Sequence, residues 1–306
     1  MNILSDLNMK PIFCVMALLG LGVLPIDAGV KVATLHPIIA DLVRQVGGAN
    51  VDVVEILKPG GDIHHFEPSA KDIAAMRGAK LIMASGKNLE SYLDKLRDSV
   101  GAGVEVVEVG KMVPSVLMEA GEVFVCCPAH AKSSIDPHWW HSADAMGRAA
   151  RVVGDKLEEV DPANKEAYEA GAKAAVAKFS DLKSWAKKEL TVIPRSDRKL
   201  VTAHAAFGYF CKEYGFKSIP VLGLGRSDDA TPQYLAESIE MIRSNKIRAV
   251  FPEDQANPKV LAEMTRSTGA KVGRALVADG TSPSAHTFEA MLRHNVGVIV
   301  AALKGD

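Results

Sequence analysis

Apolar residues form short, nearly continuous runs along the chain, and stretches with helical periodicity separate them. Continuous apolar runs are typical of parallel strands covered on both faces, and their alternation with helices is typical of an α/β fold. Helices are predicted between the runs, including residues 37–46 and 232–244. The predicted strands are residues 31–35, 51–57, 80–84, 104–109, 199–203, 218–222, 247–251, 271–277 and 296–301.

The middle of the chain has a different pattern. Residues 142–160 are predicted to form one helix, which Asp161 and Pro162 end, and a second helix runs to about residue 190. At 1.5 Å per residue the second helix is about 40 Å long. We therefore predict an α/β protein of two parallel-sheet lobes, residues 29–160 and 192–306, joined by a rigid helix within residues 161–191. A surface helix of one large domain is the alternative.

The N-terminal residues have the pattern of an export signal. Residues 12–24 are all apolar or glycine, Lys10 precedes them, and small residues surround Ala28. The run is shorter than the roughly 20 residues that a transmembrane helix needs, and it has the proportions of a signal peptide. We predict a signal peptide at residues 1–28; a buried N-terminal helix is the alternative. Cys14 lies at the start of the run, where a lipid-modified cysteine is not expected, so we predict a periplasmic protein without a lipid anchor.

Composition narrows the functional classes. The 306 residues include 24% charged residues, with a formal net charge of −1. No block of like charge favours nucleic acid or an acidic membrane as a partner. The cysteines after residue 28 are Cys126, Cys127 and Cys211, which do not make a disulfide framework. The fold must therefore rely on its hydrophobic core.

Several of the nine histidines occupy positions where α/β proteins bind ligands. His64, His65, His138 and His204 lie in loops after strand-like runs or before helices, and Asp279 follows an apolar run in the same way. Ligands of open α/β sheets bind outside the carboxyl ends of the strands. His64, His138, His204 and Asp279 together offer three imidazoles and one carboxylate, a donor set that suits Zn²⁺. Two of these four residues fall in each half of the chain, so a cleft between two lobes could gather them. Periodicity alone does not select which residues these are.

Three longer motifs resemble those of a known family. Residues 58–69, Lys-Pro-Gly-Gly-Asp-Ile-His-His-Phe-Glu-Pro-Ser, resemble the first metal-binding motif of the zinc/manganese solute-binding proteins of ABC importers, with His64 as the ligand. Residues 136–140 resemble the second motif, with His138 as the ligand, and residues 202–215 resemble the third, with His204. Shorter matches at residues 86–90, 251–253 and 291–295 extend the resemblance over essentially the whole chain after residue 28.

The resemblance implies two α/β lobes linked by a long helix, with a metal ion in the cleft. It also implies delivery of the metal to a membrane permease that a separate ATPase subunit powers. The fourth ligand of the family is a carboxylate late in the second lobe, and Asp279 matches it, with Glu253 as the alternative. At the position of His204 the family varies between histidine and a carboxylate, so histidine favours Zn²⁺ over the alternatives Mn²⁺ and Fe²⁺. We expect a monomeric transport protein, not an enzyme.

Two departures from the family pattern leave questions open. His141 stands where the family usually has an apolar residue. It is either a further group beside the metal site or a histidine that faces solvent at a helix start. The segment 119–135 contains Cys126, Cys127 and His130, which either form an accessory zinc site or belong to a structural loop.

Two other functions compete with transport. A zinc hydrolase or lyase would keep one coordination position open for water or substrate, whereas a fourth protein ligand closes the site. The sequence has no Gly-x-Ser-x-Gly, His-Glu-x-x-His or phosphate-binding glycine motif. A metal-regulated adhesin is the other alternative.

Overall fold

The computed structural model describes residues 29–101, 103–117, 135–220, 232–253 and 265–304. The predicted signal peptide and the Cys126, Cys127 and His130 segment lie outside these residues. Within the described ranges no helix is both long enough and apolar enough to cross a bilayer.

The first lobe is built on a parallel sheet of four strands in the order β2-β1-β3-β4. Val32 on β1 pairs with Val53 on β2 and with Leu81 on β3, and Leu81 pairs with Glu105 on β4. Both faces of the central strands are covered, as the continuous apolar runs predicted. The elements are β1 (Val30–Thr34), α1 (Pro37–Gly47), β2 (Val51–Glu55), α2 (Ala70–Met76), β3 (Leu81–Ala84), α3 (Leu93–Val100) and β4 (Glu105–Glu108).

The second lobe repeats this arrangement with a parallel sheet in the order β6-β5-β7-β8. Val201 on β5 pairs with Ile219 on β6 and with Val250 on β7. Strand β8 is shorter than the predicted 271–277, and one isolated bridge between Glu253 and Leu276 continues its pairing. The elements are β5 (Lys199–Thr202), α6 (Gly208–Tyr214), β6 (Lys217–Pro220), α7 (Pro232–Ser244), β7 (Ala249–Phe251), β8 (Lys271–Val272) and α8 (Phe288–Leu303).

The strand predicted at residues 296–301 is wrong, because these residues belong to helix α8. Thr287 caps that helix by accepting a hydrogen bond from the backbone N–H of Ala290. Val296, Val298 and Ile299 are all buried. A short apolar run buried on most sides has no periodicity that separates a helix from a strand, and this run belongs to a longer element that begins before it.

Two long helices follow the first sheet, and the second of them joins the lobes. Helix α4 (Ala143–Val160) begins where Ser142 accepts a hydrogen bond from the N–H of Ala145. Helix α5 (Lys165–Leu190) has 26 residues and at 1.5 Å per residue is about 39 Å long. It packs against α1 and α4 and then against α8, where Phe179 meets Phe288 edge-on at 5.1 Å between ring centroids. The structure confirms the predicted fold class: two parallel sheets with flanking helices and one long helix between the lobes.

Candidate metal-binding site

Four side chains from the two lobes converge in the cleft: His64, His138, His204 and Asp279. Each offers one ligand atom, and these atoms all lie within 4.8 Å of one another. The Nε2 of His64 is 3.4 Å from the Nε2 of His138 and 3.4 Å from the Oδ1 of Asp279. The same Asp279 oxygen is 3.4 Å from the Nε2 of His204 and 3.9 Å from that of His138.

These separations fit a tetrahedral metal ion. Four ligands at the usual zinc–nitrogen and zinc–oxygen bond lengths lie about 3.3 Å from one another at the corners of a tetrahedron. Among the described residues, the Oδ1 of Asp279 and the Nε2 of His204 are buried without a hydrogen-bond partner. Buried polar atoms are normally satisfied, and a cation between them would satisfy both.

The two histidines of the first lobe are held by aspartates in their own loops. The Oδ1 of Asp62 accepts hydrogen bonds from the backbone N–H groups of His64 and His65, both at 3.1 Å. The Oδ1 of Asp136 accepts from the backbone N–H of His138 at 2.8 Å. An aspartate that accepts from an N–H two residues later forms an Asx turn. These turns place both imidazoles beyond the carboxyl ends of the first sheet.

Two imidazoles are also oriented by a carboxylate on their other ring nitrogen. The Nδ1 of His138 donates to the Oδ1 of Asp136 at 2.8 Å. The Nδ1 of His204 donates to Glu253, whose other carboxylate oxygen accepts the backbone N–H of His204 at 3.0 Å. A hydrogen bond at Nδ1 leaves the Nε2 lone pair for a metal, and such carboxylate partners are typical of metal-binding histidines.

Glu253, the alternative fourth ligand, contacts a ligand histidine and does not join the four converging atoms. It lies at the end of β7 and contacts the far side of the His204 ring, outside the cluster of four converging atoms. Asp279 extends from the loop after β8 and reaches all three imidazoles. Both carboxylates follow apolar strand-like runs, so sequence position alone did not separate them.

Electrostatics of the cleft favour a bound cation. Burial lowers the pKa of His204, but the negative charges of Glu253 and Asp279 outweigh burial and raise that pKa well above its usual value. Burial likewise raises the pKa of Asp279, yet the neighbouring His204 and His64 outweigh it and hold the pKa well below its usual range. Without a metal, protons on the imidazoles compensate the carboxylates; a divalent cation would replace them.

His141 neither faces solvent nor reaches the four converging atoms. Its side chain is buried, and its Nε2 donates to the backbone oxygen of Ala278 at 2.7 Å. Its ring packs on that of Phe207, with 4.4 Å between the centroids. His141 thus lies directly behind the site, in contact with the residue that precedes Asp279.

Three other histidines in the described part of the chain make contacts of their own. His65 contacts Asp62 at 3.1 Å and is half-exposed. His36 caps α1, since its Nδ1 accepts from the N–H of Ile38. Burial lowers the pKa of His36 to about 3, so its ring is neutral. His294 donates to the backbone oxygen of Ala275 at 2.8 Å. The suggested secondary residue His130 lies outside the described residues.

The roles of Asp136 and Asn295 were missed by sequence reasoning. For Asp136 a signal exists: Asp62-Ile63-His64 and Asp136-Pro137-His138 share the spacing Asp-x-His, which an Asx turn requires. For Asn295 no local signal exists. Its side-chain amide accepts from the N–H of Val277 and donates to the carbonyl of Val277, both at 2.9 Å, although 18 residues separate them.

The chain is similar to known metal-binding proteins over most of its length. A model of the family described as "ZnuA: Zinc-uptake complex component A periplasmic" matches residues 32–302. The chain is 33% identical to the iron-binding protein YfeA of Yersinia pestis over 253 residues, which is 82% of this chain and 78% of that protein. It is 29% identical to the manganese-binding lipoprotein MntA of Bacillus subtilis (strain 168) over 289 residues, 91% of each chain.

Solved structures share the same architecture. The periplasmic zinc binding protein TroA from Treponema pallidum superposes with a TM-score of 0.79 at 24% identity, covering 90% of this chain and all of that one (100%). The Mn-bound periplasmic metal binding protein from Candidatus Liberibacter asiaticus gives a TM-score of 0.78 at 22% identity, covering 89% and 99%. At these identities the superpositions demonstrate a common fold.

Proposed function

Because this chain belongs to the family of periplasmic zinc-uptake component A proteins, the metal-binding receptors of ABC importers, we propose that it captures one zinc ion per chain with His64, His138, His204 and Asp279. The observation that carries this proposal is the convergence of four ligand atoms from two lobes at separations that suit one tetrahedral ion.

The donor set supports zinc as the cargo. Imidazole nitrogen suits zinc, whereas Mn²⁺ favours oxygen-rich sites of higher coordination number, and intrinsic affinity rises from Mn²⁺ through Fe²⁺ towards zinc. Three of the four donors here are nitrogens. The relatives carry names for iron, manganese and zinc binding, so a manganese or iron receptor is the second candidate.

The division of the ligands between the two lobes supports delivery to a permease. His64 and His138 belong to the first lobe, while His204 and Asp279 belong to the second. Any motion that separates the lobes removes two ligands at once and leaves the ion with half of its donors. A receptor of this kind can hold its cargo tightly when closed and transfer it when a membrane permease, driven by its ATPase subunit, changes the cleft.

Transport is favoured over zinc-dependent catalysis. The family consists of substrate-binding transport proteins, and a fourth protein ligand leaves no coordination position for an activated water. Metal analysis of the purified chain after export should find one zinc ion, and a hydrolytic assay with model esters should give no zinc-dependent rate above that of free Zn²⁺.

We further propose that the chain works as a soluble periplasmic monomer after removal of residues 1–28. Relatives are named as lipoproteins, so a lipid-anchored form is the alternative. N-terminal sequencing of the exported protein should give a start near residue 29, and radioactive palmitate should not label it. Labelling at a cysteine would contradict the proposal of a soluble form.

Competition among Zn²⁺, Mn²⁺ and Fe²⁺ on metal-stripped protein tests the choice of metal. Zinc should bind most tightly, and His204→Glu should narrow the gap between zinc and manganese because it replaces a nitrogen donor with oxygen. His64→Ala and His65→Ala form a matched pair of neighbouring histidines: only the first should weaken zinc binding strongly. Tighter binding of Mn²⁺ than of Zn²⁺ by the parent protein would make the chain a manganese receptor.

A further inference from the structure

The backbone segment that leads into Asp279 is held by side chains on both of its sides. Asn295 bonds the N–H and the carbonyl of Val277 within the second lobe. The next carbonyl, that of Ala278, accepts two hydrogen bonds from the first lobe: one from the indole Nε1 of Trp140 at 3.0 Å and one from the Nε2 of His141 at 2.7 Å. Both donors are buried.

These two donors belong to the same turn as a metal-binding residue. Trp140 and His141 lie in the short 3-10 turn Trp139–His141, which directly follows His138. Their hydrogen bonds cross from the first lobe to the residue that precedes Asp279 in the second. The turn that carries His138 is thus tied through Ala278 to the loop that carries Asp279.

The loop is also held after Asp279. The N–H of Gly60, in the loop that carries His64, donates to the carbonyl of Thr281 at 3.0 Å. Gly280 has a φ of +103°, and a Cβ built there would be 2.7 Å from the Cε1 of His36. The position of the Asp279 carboxylate is therefore determined by contacts from the first lobe as well as by its own lobe.

We propose that His141 is a positioning residue for metal binding, and that its hydrogen bond to the Ala278 carbonyl sets the Asp279 carboxylate against the three imidazoles. This inference rests on the proposed function. His141 is not one of the four converging residues, and it acts through the backbone of Ala278, the residue before Asp279. Burial lowers the pKa of His141 to about 4, so its ring is neutral near neutral pH and the Nε2–H is its single donor.

The expected loss of zinc affinity is moderate because the Ala278 carbonyl accepts hydrogen bonds from two donors. His141→Leu removes one of them and leaves that of Trp140, so Asp279 should become less well placed but remain a ligand. We expect zinc affinity to fall by about three- to tenfold, the range that the net contribution of one buried hydrogen bond allows. His141→Gln keeps an N–H donor at similar reach and should stay within about twofold of the parent.

A double-mutant cycle tests the proposal on the full exported chain, stripped of metal and titrated with Zn²⁺ against a competing chelator. His141→Leu should lower zinc affinity in the parent and have no further effect in the Asp279→Ala protein, because its influence passes through Asp279. His294→Leu is the matched control: it removes a histidine donor to Ala275 in the same segment, at 2.8 Å and from within the second lobe. It should leave zinc affinity nearly unchanged.

The outcomes separate this inference from the proposed function. An unchanged affinity of His141→Leu, an equal loss in both backgrounds, or an equal loss in His294→Leu would overturn the positioning role. If Asp279→Ala itself binds zinc as the parent does, the proposed ligand set fails, and the role of His141 fails with it. Melting of the metal-free protein shows whether His141→Leu folds. If it does not fold, His141→Gln decides: a loss of zinc affinity of threefold or more overturns the proposal, and near-parent zinc affinity supports it.

Discussion

The two lobes orient their metal-facing side chains by different means. In the first lobe, Asp62 and Asp136 each lie two residues before a histidine and accept its backbone N–H. In the second lobe, His204 is held by Glu253, which is 49 residues away at the end of the neighbouring strand. Asp279 depends on Asn295 and on donors from the first lobe.

The difference shows how much each half of the site depends on the tertiary structure. The turns of the first lobe need only a few consecutive residues, so they can form before the lobes meet. His204 and Asp279 are correctly oriented only when β5 pairs with β7 and when Trp140 and His141 of the first lobe contact Ala278. We therefore expect disturbances of packing to affect His204 and Asp279 more than His64 and His138.

Removal of a metal ligand should have the largest effect on zinc affinity, and this effect should be similar for ligands of either lobe. His138→Ala and Asp279→Ala each leave three donors, and we expect each to weaken zinc binding by at least about a hundredfold, more than the loss of an outer partner produces. Chelator competition on metal-stripped protein measures this, with circular dichroism as the folding control. Parent-like affinity of either variant would remove that residue from the ligand set.

Replacement of the carboxylates behind the imidazoles should have the next largest effect on zinc affinity. It should also affect the two lobes differently. Asp136→Asn and Glu253→Gln remove a charge with little change of shape, and each should lower zinc affinity by about 10- to 100-fold. Only Glu253→Gln should also loosen the second lobe, which amide exchange around β5 and β7 would reveal. Equal exchange in the two variants would argue against the different dependence of the lobes.

Proton competition should weaken zinc binding as the pH falls. In the metal-free protein burial lowers the pKa of His204, but Glu253 and Asp279 outweigh burial and raise it well above 6.5. Below that raised pKa a proton must leave before zinc binds, so affinity should drop by about tenfold per pH unit for each proton displaced.

Calorimetry in buffers of different ionisation enthalpy would count these protons. The Glu253→Gln protein should begin to lose affinity at a lower pH than the parent, because the amide no longer supports the charged form of His204. An identical pH dependence of the two proteins would contradict the assigned cause of the pKa shift.

The smallest effect on zinc affinity should come from Gly208, a glycine of the second lobe that lies against Asp136 of the first lobe. A Cβ at Gly208 would lie 2.4 Å from the Oδ2 of Asp136, so Gly208→Ala should shift this carboxylate and destabilise the fold by about 1–3 kcal/mol. The control is Gly147→Ala in α4, where an added Cβ meets nothing within 4 Å. This substitution should stabilise the fold by about 0.5–1 kcal/mol. Thermal melting and zinc affinity of both would check this; equal melting temperatures would contradict the close approach.

Local sequence was sufficient for most of the architecture. Continuous apolar runs predicted the strands of both sheets, and the break at Asp161 and Pro162 predicted the two long helices. The exception is residues 296–301, because a helix that is buried on most sides has the same apolar pattern as a covered strand.

The sequence by itself also determined the chemistry available to the site, because motifs around His64, His138 and His204 and a late carboxylate specify nitrogen and oxygen donors. Only the tertiary structure decided how they are used. It placed Glu253 behind His204 and Asp279 among the imidazoles, and it turned His141 towards the carbonyl of Ala278. The physical reason is distance along the chain: an Asx turn is fixed by neighbours, whereas contacts between residues 49 or 137 positions apart exist only after the sheets have paired and the lobes have met.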